Sequence, residues 1–380
     1  MPRASRSKPK VAHAAPKVAL VHDWLVAQRG GENVLLELCR MFPDAPIFSL
    51  VHAAGQVHAE IEAHAIHTSF IQKLPGAPLS FRHYLPLFPA AIERFDLSAY
   101  DLILSTSHCV AKGVRTKEGQ RHIAYIHTPM RYLWDQLEEY LPKVPGRHAL
   151  TPMAWLATAP LRRWDVISAQ RPTELLANSA HVANRIEQVW RRSARVLHPP
   201  VDVSFFAGAS ARPRQGLLIV SALVPYKRVD LAVELASADD LPLTVIGDGP
   251  ELNRLGRMAG STVRFLSPLA PDGLRDAYAG ARALLFCGVE DFGIVPVEAM
   301  AAGCPVVALG QGGALETVKG HGPNRTGVFF AEATIASLRD AMRRLDELTV
   351  RGAFQRKTLL ARAEQFGRSA FVRGMRDVIG

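Results

Sequence analysis

The sequence predicts an α/β chain folded as two doubly wound domains facing a central cleft. Three observations carry this expectation. A length of 380 residues exceeds one comfortable domain and suits two of ordinary size. Two segments open alike, each with an apolar strand, a polar or glycine-bearing turn and an amphipathic helix: KVALVHDWL, VAQRGG and ENVLLELCRMF early on, GLLIVSAL, VPYK and RVDLAVELA later. Between them lies HPPVDVSFFAGASARPRQG, rich in Pro, Gly and Ser and without a clear period, which marks a domain boundary.

In the first of these helices Val34, Leu35, Leu38 and Met41 recur at helical spacing; in the second, Val229, Val233 and Leu235 or Ala236 take the buried side. Each unit begins an alternating β/α series, hence a parallel sheet covered by helices. Further strands are expected at PIFSLV, YDLILSTS, RHIAYIH and TELLANS in the first half, and at LPLTVIG, VRFLS, ARALLFC, CPVVALG and TGVFF in the second. Helices are expected near residues 132–140, 181–190, 250–258, 272–279 and 336–348. The domains then run over residues 17–200 and 201–365, with a final helix at about 366–380 packing back on the first. Residues 1–16, basic and rich in Pro and Ala, read as a disordered tail without the apolar core of a secretory signal.

No apolar run approaches the roughly 18 residues that a membrane span needs. The four cysteines, Cys39, Cys109, Cys287 and Cys304, sit among apolar neighbours with no CxxC spacing, as free thiols of a reducing cytosol do. The net charge of +10 admits nucleic acid, an anionic membrane face or phosphorylated ligands as partners. Because the bases are scattered in pairs and no nucleic-acid module accompanies them, nucleic acid is not expected. The stretch FIQKLPGAPLSFRHYLPLFPAAIERF is either a flap meeting a lipid-linked acceptor at a bilayer surface or core-packing loop and helix.

The chemistry concentrates in EDFGIVPVEAM, residues 290–300. Glu290 follows the strand ARALLFC, Gly293 permits a tight turn, and Pro296 suits a helix's first turn, where its missing N–H has no partner anyway. The free N–H groups of Phe292, Gly293, Ile294 and Val295 then face the cleft with the positive end of the helix dipole behind them, a place for phosphate. Glu290 and Glu298 can accept hydrogen bonds from hydroxyls, and hydroxyls plus phosphate are what a nucleotide sugar presents. Spacing alone also fits a Glu298 that merely complements the helix dipole and a solvated Glu290. In the other half, Gly30 and Gly31 precede a helix and leave backbone N–H groups open to a phosphate. His127 lies just after a strand, and there is neither a paired-acid DxD loop nor a His/Cys cluster to imply a metal.

EDFGIVPVE followed by CPVVAL and GGALETV resembles the signature of retaining glycosyltransferases of family four, which have the GT-B fold. HDWL with RGGENVL, YDLILSTSHCVAKGV, YIHTPMRYLWD, ANSAHVANRI with PPVD, VSALVPYKRVDLAVE and VIGDGPEL agree, over most of residues 17–330. The combination is most similar to bacterial mannosyltransferases that extend O-antigens and exopolysaccharides. The resemblance implies two Rossmann-like domains. It implies transfer of a hexose, mannose from GDP-mannose, to a lipid-linked or oligosaccharide acceptor, with retention and without metal or cofactor, in the cytoplasm or at the inner face of the plasma membrane. A UDP-sugar donor and a degenerate, non-catalytic GT-B binding protein are the alternatives; an epimerase or a phosphorylase is a third, and no pyridoxal-phosphate lysine site is identifiable.

Carried over by position, the resemblance implies that Glu290 contacts donor-sugar hydroxyls with help from Phe292, Gly293 and Ile294, and that Glu298 holds the ribose. Lys227 neutralises the leaving diphosphate, and His127 reaches the reacting sugar. Many members carry an arginine where this chain has Ala222, and Arg228 is the candidate substitute. The loop with Gly247 and Gly249 contributes to donor selection. His22, Asp23, Arg131 and Asp135 are the candidate acceptor-side groups.

Overall fold

The computed structural model describes residues 16–135, 155–210 and 212–380. The predicted tail, apart from residue 16, and residues 136–140 of one predicted helix lie outside them. The first sheet contains β1 (Val18–His22), β2 (Ile47–Ser49), β3 (Ile66–Thr68), β4 (Leu102–Ser107), β5 (Arg121–Ile126), β6 (Glu174–Ala177) and β7 (Arg195–Val196), in the order β3-β2-β1-β4-β5-β6-β7. The second contains β8 (Leu217–Val220), β9 (Leu243–Ile246), β10 (Val263–Leu266), β11 (Ala283–Phe286), β12 (Val306–Leu309) and β13 (Gly327–Phe330), in the order β10-β9-β8-β11-β12-β13. The named strand pairings are parallel.

All five residues of β1 are buried, the continuous apolar reading of a strand covered on both faces. Val18 and Leu20 join Val34, Leu35 and Leu38 of the helix Gly30–Met41 on one face. Ala19 and Val21 meet Ile71, Phe81, Phe88 and Ile92 on the other. Of the two readings of residues 70–95, core packing therefore holds for most of the apolar residues, while Leu79 and Leu87 remain 85% and 41% exposed. Among the described residues no helix is long and apolar enough to cross a membrane.

Strand order reverses between β1 and β4, and again between β8 and β11. At such a switch point the loops beyond the carboxyl ends of the strands diverge and open a crevice. Here the two crevices face each other. The chain crosses back after the helix Arg356–Glu364: the helix Arg368–Ile379 buries Phe371, Met375 and Val378 in the core of the first domain. Arg121 fastens its end by donating to the carbonyls of Val378 and Ile379.

One buried charge pair organises the first domain behind the cleft. Lys112, 1% exposed, bonds Asp165, 0% exposed, at 2.6 Å. The second Asp165 oxygen accepts from Trp134 Nε1 at 2.9 Å and Trp190 Nε1 at 2.8 Å, while the ammonium lies 4.9 Å from the Trp190 ring centre. Removing the carboxylate strands a buried cation and two indole donors. Asp165→Ala is expected to destabilise the chain by about 3–5 kcal/mol in urea unfolding, and a change below about 1 kcal/mol would show that the pair is dispensable.

Candidate active site

A cavity of about 950 Å³ lies between the domains. Its carboxyl-domain wall is built on the loop after β11, pressed against two neighbouring turns. A Cβ at Gly288 would stand 2.7 Å from Lys227 Cα and from the Tyr226 carbonyl oxygen. One at Gly313 would stand 2.3 Å from Phe292 Cα, where instead the Gly313 N–H donates to the Glu290 carbonyl at 2.8 Å. Gly293, at φ 93°, turns this loop into the helix Ile294–Ala301.

Glu290, Phe292, Gly293, Ile294, Val295 and Glu298 all line the cavity, as does Lys227. Lys227 Nζ pairs with Glu290 Oε1. Burial, followed by the like charge of Arg131, lowers the Lys227 ammonium to about 8. Glu298 Oε2 accepts from the Tyr278 hydroxyl at 2.8 Å, and burial pushes this carboxyl up to about 7 against that bond. Backbone N–H groups of the helix's first turn have no acceptor within the helix and stand between the two acids.

Gly30, Gly31, His127 and Arg131 supply the opposite wall. Gly30 allows the domains to touch, since a Cβ there would lie 2.8 Å from Ile294 Cδ1. His127 Nε2 is buried without a hydrogen-bond partner beside Gly31, and burial lowers this imidazole to about 3. It is therefore neutral and available for a hydrogen bond with a ligand.

Several expected site residues lie elsewhere. His22 and Asp23 are 0% exposed and outside the cavity lining, so they are not acceptor contacts. His22 Nδ1 meets Thr106 Oγ1 at 2.6 Å, and Asp23 accepts the backbone N–H groups of His108, Cys109, Val110 and Ala111 at 2.6–2.9 Å. Burial draws the Asp23 pKa up, but His108, His22 and these N–H groups hold it below the ordinary value. Asp23 thereby fixes the turn after β4 and, at 3.2 Å, orients Nδ1 of His108, a cavity residue that the sequence reading overlooked.

Gly247 and Gly249 also lie outside the lining. Their missing side chains let the turn after β9 approach the carbonyls of Ser221 and Leu223, which a Cβ would reach at 1.9 and 2.4 Å. Arg228 bonds Asp230 at 3.2 Å and does not face the cavity, so it does not stand in for the missing arginine. Asp135 pairs with Arg185 outside the cavity lining. Arg131 does line the cavity, but at the domain seam, with Asp291 at 2.6 Å. Asp291 lay inside the recognised motif; its partners 160 and 106 residues away left no local signal.

Two family models match the chain: "Glycosyltransferase Family 4" over residues 28–205 and "Glycosyl transferases group 1" over residues 203–356. A GDP-mannose-dependent alpha-mannosyltransferase of Mycolicibacterium smegmatis is 25% identical over 336 residues, covering 85% of this chain and 81% of the relative. A GDP-mannose-dependent alpha-(1-6)-phosphatidylinositol monomannoside mannosyltransferase of Mycobacterium tuberculosis is 32% identical over 202 residues, covering 44% of this chain and only 52% of the relative. Among solved structures, HepE of Anabaena in complex with UDP and glucose superposes with TM-score 0.66 at 18% identity, covering 96% of this chain and 99% of that one. Sucrose-phosphate synthase of Thermosynechococcus elongatus gives 0.70 at 16% identity, covering 95% and 98%.

The raised pKa of Glu298 has a stability consequence. Between its ordinary value of 4.5 and about 7, the folded chain keeps a proton on this group that the unfolded chain has released. Its contribution to stability is therefore greatest below that window and declines as pH rises through it. Urea unfolding at about pH 5 and about pH 8 is expected to show a larger loss for wild type than for Glu298→Gln; equal losses would mean that Glu298 ionises normally.

Proposed function

The chain belongs to glycosyltransferase family 4 and has the GT-B fold, and from this premise we propose that it moves mannose from GDP-mannose to a hydroxyl of a lipid-linked or oligosaccharide acceptor. The observation that carries the reading is the convergence of Lys227, Glu290 and Glu298, from three separate elements, on one cavity faced by His127 from the other domain. Glu298 holds the ribose hydroxyls, the first turn of Ile294–Ala301 holds phosphate, and Glu290 grips the sugar. The two relatives described as GDP-mannose-dependent support this donor.

In the proposed reaction the acceptor oxygen bonds to the anomeric carbon as the bond from that carbon to the phosphate oxygen breaks. The nucleoside diphosphate departs with its charge met by Lys227, an electrostatic role that needs no metal. The hydroxyl proton passes to a leaving phosphate oxygen on the same face, which retains the anomeric configuration. Neutral His127 offers its unpartnered nitrogen to the sugar. A UDP-sugar is the second donor reading, favoured by the UDP present in a solved structure of the same fold. A degenerate binding protein has no use for a lysine and two acids converging on one cavity.

A thermal-shift screen of GDP, UDP and ADP sugars tests the donor, because a ligand stabilises by RT ln(1 + [L]/Kd). GDP-mannose is expected to give the largest shift; a larger one with a UDP-sugar overturns the mannose assignment. Glu298→Ala is expected to weaken nucleotide binding about tenfold or more, and Glu290→Ala to lower kcat about a hundredfold with little change in KM. Wild-type behaviour of both variants would refute the site.

Association with the inner face of the plasma membrane belongs to the same proposal, with the exposed Leu79 and Leu87 meeting the bilayer. Flotation with anionic liposomes is expected to recruit the full chain in a salt-sensitive manner. Absence of recruitment removes the membrane from the reading and leaves the transfer chemistry standing.

A further inference from the structure

Among the basic side chains that line the cavity, two come from different domains to the same tyrosine: Lys227 on the loop after β8, and Arg131 in the segment after β5. The Arg131 guanidinium carbon lies 5.5 Å from the ring centre of Tyr226, the residue preceding Lys227. Each cation is neutralised by one of two consecutive carboxylates, Glu290 for Lys227 and Asp291 for Arg131. Asp291 has a second partner: its Oδ1 accepts from Arg185 Nη1 at 3.1 Å. Ala222 lines the cavity without offering charge, and Arg228 is turned to Asp230.

Within the two pairs the partners balance one another's charge and are suited to exchange. Like charges brought together at low dielectric repel, and a bridging anion relieves them. The planar guanidinium can bond two phosphate oxygens side by side. If Arg131 leaves Asp291, that carboxylate retains Arg185 and is not stranded.

Resting on the nucleotide-sugar reading above, we propose that Arg131 is the second cation of the donor diphosphate, exchanging Asp291 for a phosphate oxygen when the donor binds. The acceptor-side domain thus supplies part of the charge that stabilises the leaving group, and the diphosphate ties the two domains together. Asp291 competes with the donor for Arg131. It is a positioning residue for the Arg131 guanidinium.

Isothermal titration of the full chain with GDP, UDP, guanosine and uridine tests this, because removing Arg131 weakens diphosphate binding whereas removing its competitor does not. Arg131→Gln is expected to weaken the preferred diphosphate about 10- to 100-fold, the worth of a charge-assisted hydrogen bond, with less than about a twofold effect on its nucleoside. Asp291→Asn is expected to leave diphosphate affinity equal or tighter. Arg131→Lys, which keeps charge without the planar fork, should fall between Gln and wild type and covers the case in which the Gln variant does not fold. If Arg131 and Asp291 form only a clasp between domains, both variants weaken diphosphate and nucleoside alike, and the proposal fails. It also fails if Arg131→Gln or Arg131→Lys binds the diphosphate as wild type does. Wild-type protein that binds neither GDP nor UDP would instead overturn the nucleotide-sugar reading itself.

Discussion

The backbone of residues 288–293 is held where it touches two other turns too closely for any side chain to intervene. Gly288 lies against Tyr226 and Lys227, while Gly312 and Gly313 lie against Glu290 and Phe292. Because the ends of β8, β11 and β12 are joined in this way, side chains from all three are positioned relative to one another. Lys227 meets Glu290 because their backbones are already fixed. Asp291 reaches the opposite domain because its neighbours on both sides cannot turn elsewhere, and Glu298 faces the cavity because Gly293 begins its helix at this place. Packing between bare backbones supplies the rigidity that an accurately placed charge needs.

Lys227, Arg131 and Arg185 at the cleft are set against acids rather than standing as bare positive charges. Lys227 is matched by Glu290, and Arg131 and Arg185 share Asp291. These pairs are largely but not fully buried, so desolvation offsets much of their attraction, but an unpaired charge in the same place is worse. The carboxylates keep the cations tolerable in the cavity wall and hold them in place. His127 and Glu298 are held differently: burial keeps the imidazole neutral and raises the carboxyl to about 7, so neither is matched by an opposite charge as Lys227 and Arg131 are.

The two walls are also joined away from the cavity. Glu316 of the second domain accepts the backbone N–H groups of Ala180 and His181, at the start of the helix Ala180–Trp190 of the first. There a carboxylate satisfies donors that the helix cannot and favours the positive end of its dipole. With the returning helix Arg368–Ile379 and the Gly30–Ile294 contact, this sets the width of the cleft.

Strand–turn–helix units are local patterns, enough to predict the two parallel sheets and the turn that carries Glu290, Gly293 and Glu298. The edge strands β3 and β7 escaped it, because three and two residues with mostly exposed side chains carry no readable period. Tertiary structure decided which of the remaining charged groups face the cavity. Arg228, adjacent to Lys227 in sequence, turns away to Asp230, while Arg131 arrives from the other domain. His22 and Asp23 end the first strand as expected, yet the turn after β4 closes over them and makes them interior supports. The physical reason is the same in each case. Apolar periodicity tells which side of an element is buried, but a polar side chain is assigned by the partner it finds, and here those partners stand as much as 160 residues away.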